Sequence, residues 1–260
     1  MDNTIRVMMI GDITGSSGMG ALLMGLSSIV EEKKVSFVIA NGENAADGYG
    51  ISIENYNDMK KLGVNVITSG NHIWQKSDIF PIMDKNDDIL RPVNYPEPCI
   101  GIGYTIKNVA GIEIGVVNGQ GRVDMASIDD PFKKVEMAVE RIRKRTSLIF
   151  VDFHAESAEE KEALGFYLDG RITALAGTHT HIQTADQRIL PNGTAYITDL
   201  GMTGATCSVI GFKPEISIAR QLTQVPYKSE VSDHKGSIQG IVVESDINSG
   251  RALSIERFRT

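Results

Sequence analysis

The sequence is poor in cysteine: it contains only Cys99 and Cys207, which lie far apart and in no CxxC spacing. This excludes a disulfide framework and a structural zinc site built from thiolates, and it favours a reducing compartment. No apolar run approaches the roughly 20 residues of a membrane helix, and the start MDNTIRVMMIGD lacks the cationic residues and length of a signal peptide. We therefore expect a cytoplasmic protein without membrane partners.

Basic residues are also in deficit, with 26 Lys and Arg against 33 Asp and Glu, a formal net charge of −7 and a pI near 5.3. A long nucleic acid is therefore not an expected partner, because its binding depends on neutralising phosphates. The one basic run, Arg141 to Arg145, predicts the last turn of an amphipathic helix. Without a linker or a low-complexity stretch, residues 1–260 are predicted to form one domain. The oligomeric state stays open, a homo-oligomer included.

Near-continuous apolar runs recur along the chain and are typical of strands that are buried on both faces. They are IRVMMIGD, VSFVIANGEN, GVNVITSGNH, SLIFVDFH and ITALAGTHTH. Helical patterns lie between several of them, with Ser52 and Asp130 as candidate N-caps and Gly63 as a stop. Strands that alternate with helices predict an α/β fold with a largely parallel sheet. Three further segments resemble hairpins and predict an antiparallel part, such as a second sheet packed on the first.

Eight polar residues follow five of these runs, and seven of them are candidate metal ligands. They are Asp12; Glu43 and Asn44; Asn71 and His72; His154; and His179 with His181. Each alone has a structural reading: Asp12 as a helix cap, the asparagines as turn residues, and the others as surface polar groups. Those readings predict no common location, whereas the carboxyl ends of parallel strands meet at one edge of a sheet. Four of the five histidines lie at such ends, which favours a shared site.

The spacing of His179 and His181 adds a local prediction. If this segment is extended, residues two apart point to the same side of the strand, so both imidazoles converge. Imidazole nitrogens with carboxylate and amide oxygens, and without thiolate, suit iron, manganese or zinc. Seven candidate ligands exceed what one ion needs, so we expect two ions that share a carboxylate. Two metals ~3.5–4 Å apart can clamp both oxygens of a phosphoryl transfer.

The motifs GDITG, NGEN, GNH, DFHAE and GTHTH, in this order over essentially the whole chain, resemble those of calcineurin-like metallophosphoesterases. The stretches NGENAADGYG, RPVNYP and GTHTHIQTADQRILPNGTAYITDLGMTG are similar to the bacterial YmdB-type branch, which contains cyclic-nucleotide phosphodiesterases. The first motif has no Asp-x-His, and a glutamate replaces the usual bridging aspartate. Both departures fit this branch, although they leave the metal preference of better-known phosphatases in doubt here.

The resemblance implies a four-layer α/β/β/α sandwich of the metallophosphoesterase type with a binuclear site. One ion would be held by Asp12, Glu43, Asn44 and His181, and the other by Glu43, Asn71, His154 and His179. Iron or manganese is favoured, and zinc or magnesium stays open. The implied substrate is a small phosphodiester such as a 2',3'-cyclic nucleotide, attacked by a metal-bridging hydroxide. His72 would then act as the general acid for the leaving oxygen.

Other readings remain at this stage. The same site could serve a phosphomonoester or a phosphoprotein, or its metals could be structural in a regulatory protein. The glycine-rich turn after IRVMMIGD and the Tyr56-x-x-x-Lys60 spacing suggest a dinucleotide oxidoreductase, although the glycine order differs from the dinucleotide fingerprint. Arg91 is a candidate for offsetting phosphate charge. Asn94, Asn118 and Gln120 are weaker candidates for lining a nucleotide pocket. The 201–215 segment is a weaker candidate for a mobile loop beside the site.

Overall fold

The structure is a computed structural model that describes residues 3–260. Its strands are β1 Thr4–Ile10, β2 Asp12–Ile13, β3 Phe37–Asn41, β4 Val66–Thr68, β5 Tyr104–Val109, β6 Ile112–Gln120, β7 Ile149–His154, β8 Ala174–Thr178, β9 Arg188–Ile189, β10 Ala195–Ile197, β11 Met202–Ala205, β12 Gly236–Ser237, β13 Gln239–Asp246 and β14 Ala252–Arg259. The α-helices are α1 Gly15–Glu32, α2 Ile53–Lys61, α3 Phe80–Lys85, α4 Pro131–Arg143, α5 Ala158–Tyr167 and α6 Pro214–Thr223. Two short 3-10 helices, Ile73–Gln75 and Ser77–Ile79, precede α3.

Two large sheets carry the fold. The first has the strand order β14-β13-β1-β3-β4, in which β1, β3 and β4 are parallel. The second has the order β5-β6-β7-β8-β10-β9, with β6, β7, β8 and β10 parallel. A small three-stranded sheet, β12-β11-β2, joins the segment after β1 to the chain beyond residue 200. Each large sheet therefore has a parallel centre whose strand ends face the same edge.

Five of the six helices, α1 to α5, cover the outer faces of the two sheets. Along β1, Val7 and Met9 belong to the core between the sheets, while Met8 and Ile10 face the core under α1 to α3. A third core packs α4 and α5 on the second sheet, for example through Val139. Alternate side chains of one strand thus enter two different cores, as the near-continuous apolar runs predict. The predicted four-layer α/β/β/α sandwich is confirmed.

The hairpins are confirmed, but their predicted place is wrong. The pairs β5–β6, β9–β10 and β13–β14 are antiparallel, and Ala110 and Gly111 form the first turn with positive φ at both positions, as a type I′ turn requires. They do not form a separate antiparallel sheet. They extend the edges of both parallel sheets, since each hairpin adds a strand where no crossover helix continues the sheet.

The predicted helix ends are also found. Ser52 caps α2 with a capping box, and the helix ends at Lys61, two residues before Gly63 at φ 93°. Asp130 accepts hydrogen bonds from two backbone N–H groups of the first turn of α4, and the basic run lies at the end of that helix. Among residues 3–260, no helix combines the length and apolarity needed to cross a membrane. The single domain over residues 1–260 stays a prediction.

Candidate metal centre

The carboxyl ends of strands from both sheets meet at one place. Asp12 follows β1, Glu43 and Asn44 follow β3, and Asn71 and His72 follow β4. From the second sheet, β7 ends in His154, and the chain after β8 carries His179 and His181. The site therefore lies across the edges of two packed sheets.

Short contacts join most of these side chains. His154 Nε2 lies 3.0 Å from Glu43 Oε1 and 3.0 Å from His179 Nδ1. The candidate ligand atoms of these three residues all lie within 4.8 Å of one another. On the other side, Asn44 Nδ2 lies 3.1 Å from His181 Nε2. Glu43 is also hydrogen-bonded to Asn44, at 3.4 Å from Nδ2 to Oε1, so the two groups adjoin.

Two buried oxygens at this edge are suited to binding a metal ion. Within residues 3–260, neither Asp12 Oδ1 nor Asn71 Oδ1 has a hydrogen-bond partner, although both atoms are buried. Asp12 Oδ1 lies 3.8 Å from His154 Nδ1 and 3.9 Å from His181 Nε2. An unpaired buried carboxylate oxygen is costly, and a metal ion would satisfy it. The donor set, nitrogen and oxygen without sulfur, fits iron, manganese or zinc.

Gly70 makes room for this arrangement. A Cβ atom there would fall 2.3 Å from Glu43 Oε2 and 2.4 Å from His154 Nε2. Any side chain at this position would therefore collide with two candidate ligands. The glycine that begins the GNH motif lets the backbone pass directly against the site.

Burial decides the charge of the imidazoles. It lowers the pKa of His154 to about 4 and that of His179 to about 4. Both rings are therefore neutral at pH 7, so the contact between His154 and Glu43 is not an ion pair. Neutral imidazole is the form that binds a metal. Burial also raises the pKa of Asp12, while the nearby histidines oppose this change.

His72 stands apart from the buried ligands because its side chain is partly exposed. Its Nδ1 lies 2.7 Å from Asn44 Oδ1 and 3.5 Å from Glu43 Oε1. Its backbone N–H donates to Glu43 Oε2. Burial lowers the pKa of His72, and the Glu43 carboxylate opposes that shift. The ring is thus held at the edge of the cluster by two candidate ligands.

A buried network behind His154 fixes its ring, and the sequence reading missed it. His154 Nδ1 lies 2.9 Å from Thr178 Oγ1, which donates to Asp152 Oδ1 at 2.7 Å. Asn41 and Thr68 also donate to Asp152. Burial raises the pKa of Asp152 to about 7. Hydrogen bonds to the second ring nitrogen orient ligand histidines in this way. The sequence feature that could have indicated this network is Asp152 in the DFHAE motif, two residues before His154.

The histidine pair is not extended, so the predicted local geometry is wrong. β8 ends at Thr178, and His179 and His181 have φ values of 101° and 64°, in the left-handed region. Backbone N–H of His179 donates to Asp12 Oδ2 at 3.1 Å, and His181 Nδ1 lies 2.8 Å from the carbonyl of Ile210. The turn sends the two rings to different neighbours: His179 to His154, and His181 to Asn44.

A cavity of about 820 Å³ opens from the cluster to solvent. It is lined by His72, His179 and His181, and by the chain from Val209 to Leu222. The sequence reading left the 201–215 segment open; part of it forms a cavity wall here. The contribution of α6 was missed, because none of the metal-ligand motifs lies in this helix.

Four weaker candidates do not line the cavity. Arg91 is buried and donates to the carbonyls of Pro92, Cys99 and Ile100, so its suggested role in offsetting phosphate charge is wrong. The other three are fully buried and hydrogen-bonded within the fold, so the predicted pocket role is also wrong; they are Asn94, Asn118 and Gln120.

Comparison with known proteins gives one consistent result. A curated relative from Bacillus subtilis, named 2',3'-cyclic-nucleotide 2'-phosphodiesterase, is 43% identical over 98% of this chain and 96% of its own length. A second, from Mycoplasma pneumoniae, is named a putative phosphatase/phosphodiesterase and is 36% identical over 100% of this chain and 94% of its own. A solved structure described as a novel phosphatase from Mycoplasma pneumoniae matches with a TM-score of 0.93 and 34% identity, covering 100% of this chain and 94% of that one. The family model described as YmdB-like protein matches residues 8–258, and the chain therefore belongs to the YmdB-like family.

Proposed function

We propose that this protein is a binuclear-metal phosphodiesterase that hydrolyses small phosphodiesters, 2',3'-cyclic nucleotides first among them. The prediction of an enzyme acting on phosphoric ester bonds is confirmed, because the curated relatives are named for this activity. The proposal places the enzyme in the cytoplasm, with small phosphodiesters rather than membranes or long nucleic acid as its partners.

The observation that carries the proposal is the unpaired, fully buried Asp12 Oδ1 beside the candidate ligands His154 and His181. A fold without a ligand at this point would leave that oxygen uncompensated, at a cost of roughly 1–3 kcal/mol or more for a charged group. The nearest candidate ligands, His154 and His181, lie 3.8 and 3.9 Å from this oxygen. His154 contacts Glu43 and His181 contacts Asn44, and this separation of partners supports two ions more than one.

The proposed ligand sets are those that the family resemblance implies. One ion would be held by Asp12, Glu43, Asn44 and His181, and the other by Glu43, Asn71, His154 and His179. The cluster of Glu43, His154 and His179 supports the second set. The first set requires the Asn44 amide to turn, because its nitrogen now faces His181 and amides bind metals through oxygen. We favour iron or manganese for both positions.

When bound, such ions would offset phosphate charge and lower the pKa of a water molecule. The chain's own contribution begins with His72, which lines the cavity beside the cluster. The Glu43 carboxylate, 3.5 Å from His72 Nδ1, favours the imidazolium form of the ring. The proton for the leaving oxygen is then carried on Nε2. Such positioned proton transfer typically contributes 10²–10⁴-fold.

The other candidate functions have less support. A phosphomonoester stays the second candidate, because two relatives are named phosphatase/phosphodiesterase. The oxidoreductase reading fails on the residues that suggested it: Tyr56 donates to Asp88, and Lys60 forms an ion pair with the same carboxylate. Both residues therefore anchor α2 to the loop that holds Asp88.

The test couples elemental analysis per chain to a substrate panel. The panel contains adenosine 2',3'-cyclic phosphate, adenosine 3',5'-cyclic phosphate, p-nitrophenyl phosphate and a phosphopeptide. We expect about two iron or manganese ions per chain and the highest kcat/KM for the 2',3'-cyclic ester. Preference for the monoester or the phosphopeptide would favour the second candidate, and a metal-free inactive protein from metal-replete medium would refute the proposal.

The role of His72 is tested separately. His72→Ala should keep both metals and lower kcat by roughly 10²–10⁴-fold, because it removes the acid and not a ligand. The matched control is His234→Ala, an exposed histidine outside the motifs, which should leave metal content and kcat unchanged. Near-normal kcat in His72→Ala would show that the leaving oxygen receives its proton elsewhere.

A further inference from the structure

One wall of the cavity is largely apolar. It comes from the loop before α6 and from α6 itself, and its apolar members are Val209, Ile210, Phe212, Ile218 and Leu222. Every residue of α6 is at least partly exposed, so this helix is not held by a core of its own. The wall therefore faces the cavity rather than the protein interior.

An aromatic pair joins this wall to His72: Phe212 belongs to the wall, and Tyr49 lies on the loop between β3 and α2. Tyr49 and Phe212 are stacked with ring centroids 5.7 Å apart and an interplanar angle of 30°. Tyr49 also meets the ring of His72 edge-on at 5.0 Å. A flat apolar group that enters the cavity can thus lie against the aromatic pair while a phosphate attached to it approaches His72.

The exposed side chains of α6 continue this surface. Ile218 and Leu222 lie one turn apart on the same helix face, with 54% and 80% of their surface exposed. Arg220 lines the cavity beside them, and its guanidinium donates to Ser229 Oγ. Contiguous exposed apolar side chains beside a polar site are typical of a surface that a ligand covers.

We propose that this wall is the nucleobase subsite of the enzyme. The inference rests on the proposed function and adds the part of the substrate that the metal cluster does not contact. The base packs against Tyr49 and Phe212, its outer edge meets Ile218 and Leu222, and Arg220 donates to acceptor atoms on that edge. We assign a nucleobase to this wall because the wall and the candidate metal ligands line the same cavity.

Stacking of this kind accepts every base, because each has an aromatic face. The subsite therefore predicts weak discrimination among cyclic nucleotides, with purines preferred to pyrimidines for their larger face. It also predicts that an ester without a base is a poor substrate even when its phosphate chemistry is identical. The relevant comparison is 1-O-methylribose 2',3'-cyclic phosphate against adenosine 2',3'-cyclic phosphate.

The experiment measures kcat/KM for both esters in the wild type and in Phe212→Ala and Phe212→Leu. We expect the ratio of adenosine ester to methylribose ester to fall roughly 5- to 150-fold in Phe212→Ala, the range that base–aromatic stacking implies. Phe212→Leu keeps apolar volume but loses the aromatic face, so its ratio should also fall. Tyr227→Leu is the control, because Tyr227 is an exposed aromatic residue of the same segment that does not line the cavity.

A second measurement separates this inference from the proposed function. Calorimetric binding of adenosine 3'-monophosphate and of methylribose 3'-phosphate reports on the subsite without any turnover. Tighter binding of the adenosine compound, lost in Phe212→Ala, supports the subsite even if the 2',3'-cyclic ester proves a poor substrate. Equal binding of the two compounds by the wild type, or an unchanged kcat/KM ratio in both Phe212 variants, would overturn the inference while leaving the metal chemistry intact.

Discussion

A buried ion pair behind the histidine turn gives the sharpest prediction about stability. Lys161 of α5 and Asp199, which follows β10, are both fully buried, and Nζ lies 2.9 Å from Oδ2. The same carboxylate accepts hydrogen bonds from the N–H and Oγ1 of Thr180 and from the N–H of Gly201. One buried carboxylate therefore ties a helix to the turn between the two candidate ligand histidines.

The perturbation is Lys161→Met, which keeps the length of the side chain and removes its charge. Asp199 is then a buried carboxylate without a counter-charge, and breaking such a pair costs about 3–5 kcal/mol. For a chain of this size we expect Tm to fall by roughly 6–20 °C. The double variant Lys161→Met/Asp199→Asn removes both charges and keeps an oxygen for Thr180, so it should be more stable than the single variant.

The consequence for the site follows from backbone strain. His179 and His181 both have positive φ, which costs roughly 1–3 kcal/mol for each non-glycine residue. The hydrogen bonds from Thr180 to Asp199 offset this cost by holding the residue between them. We expect Lys161→Met to bind metal more weakly than the wild type, even at a temperature where it is fully folded.

The assay is thermal unfolding of metal-free protein followed by circular dichroism, because bound metal would stabilise the folded state and mask the change. Metal titration at a temperature well below Tm follows. Lys61→Met is the control: it breaks an exposed pair with Asp58 and should cost at most about 1 kcal/mol. A Tm within the range of this control, or a double variant less stable than Lys161→Met, would refute the reasoning.

Three further changes address the ligand cluster and its surroundings. Glu43→Gln should empty the site, since it removes the carboxylate proposed to bridge the ions; unchanged metal content by elemental analysis would contradict that role. Gly70→Ala should lower metal content while the circular dichroism spectrum is retained, because its Cβ collides with Glu43 and His154, whereas Gly20→Ala has nothing within 4 Å and serves as the control. Arg91→Met should lower Tm by leaving backbone carbonyls unpaired and should not change KM; a raised KM at normal Tm would return Arg91 to the substrate site.

Strand topology explains why so much of the candidate site was predictable. In each apolar run, a polar residue follows the carboxyl end of a buried strand. Parallel strands bring their carboxyl ends to the same edge of the sheet. Glu43 lies 31 residues after Asp12, and His154 lies 111 residues after Glu43, yet all three follow from the same rule applied three times. The rule does not depend on the side chains between them, so a single sequence suffices.

Local backbone geometry was not predictable from the same pattern. His179 and His181 read as alternate residues of a strand, but β8 ends one residue earlier and the turn is left-handed. The cause lies elsewhere in the chain, in Asp199 and its hydrogen bonds to Thr180. Lys161 likewise lies in a run of charged residues that would be assigned to solvent. Long-range pairs of this kind leave no periodic signal.

The apolar wall of the cavity could not be predicted from the sequence either. Ile218 and Leu222 have the spacing of a helix face that packs on a core, yet both are largely exposed beside the cavity. The sequence pattern of an apolar helix face is the same whether the protein core or a ligand covers that face, because the hydrophobic effect is non-directional. The proposed metal ligands lie at strand ends and can be predicted from the sequence. The proposed base subsite depends on which surface an ordinary amphipathic helix faces, and only the packed structure supplies that.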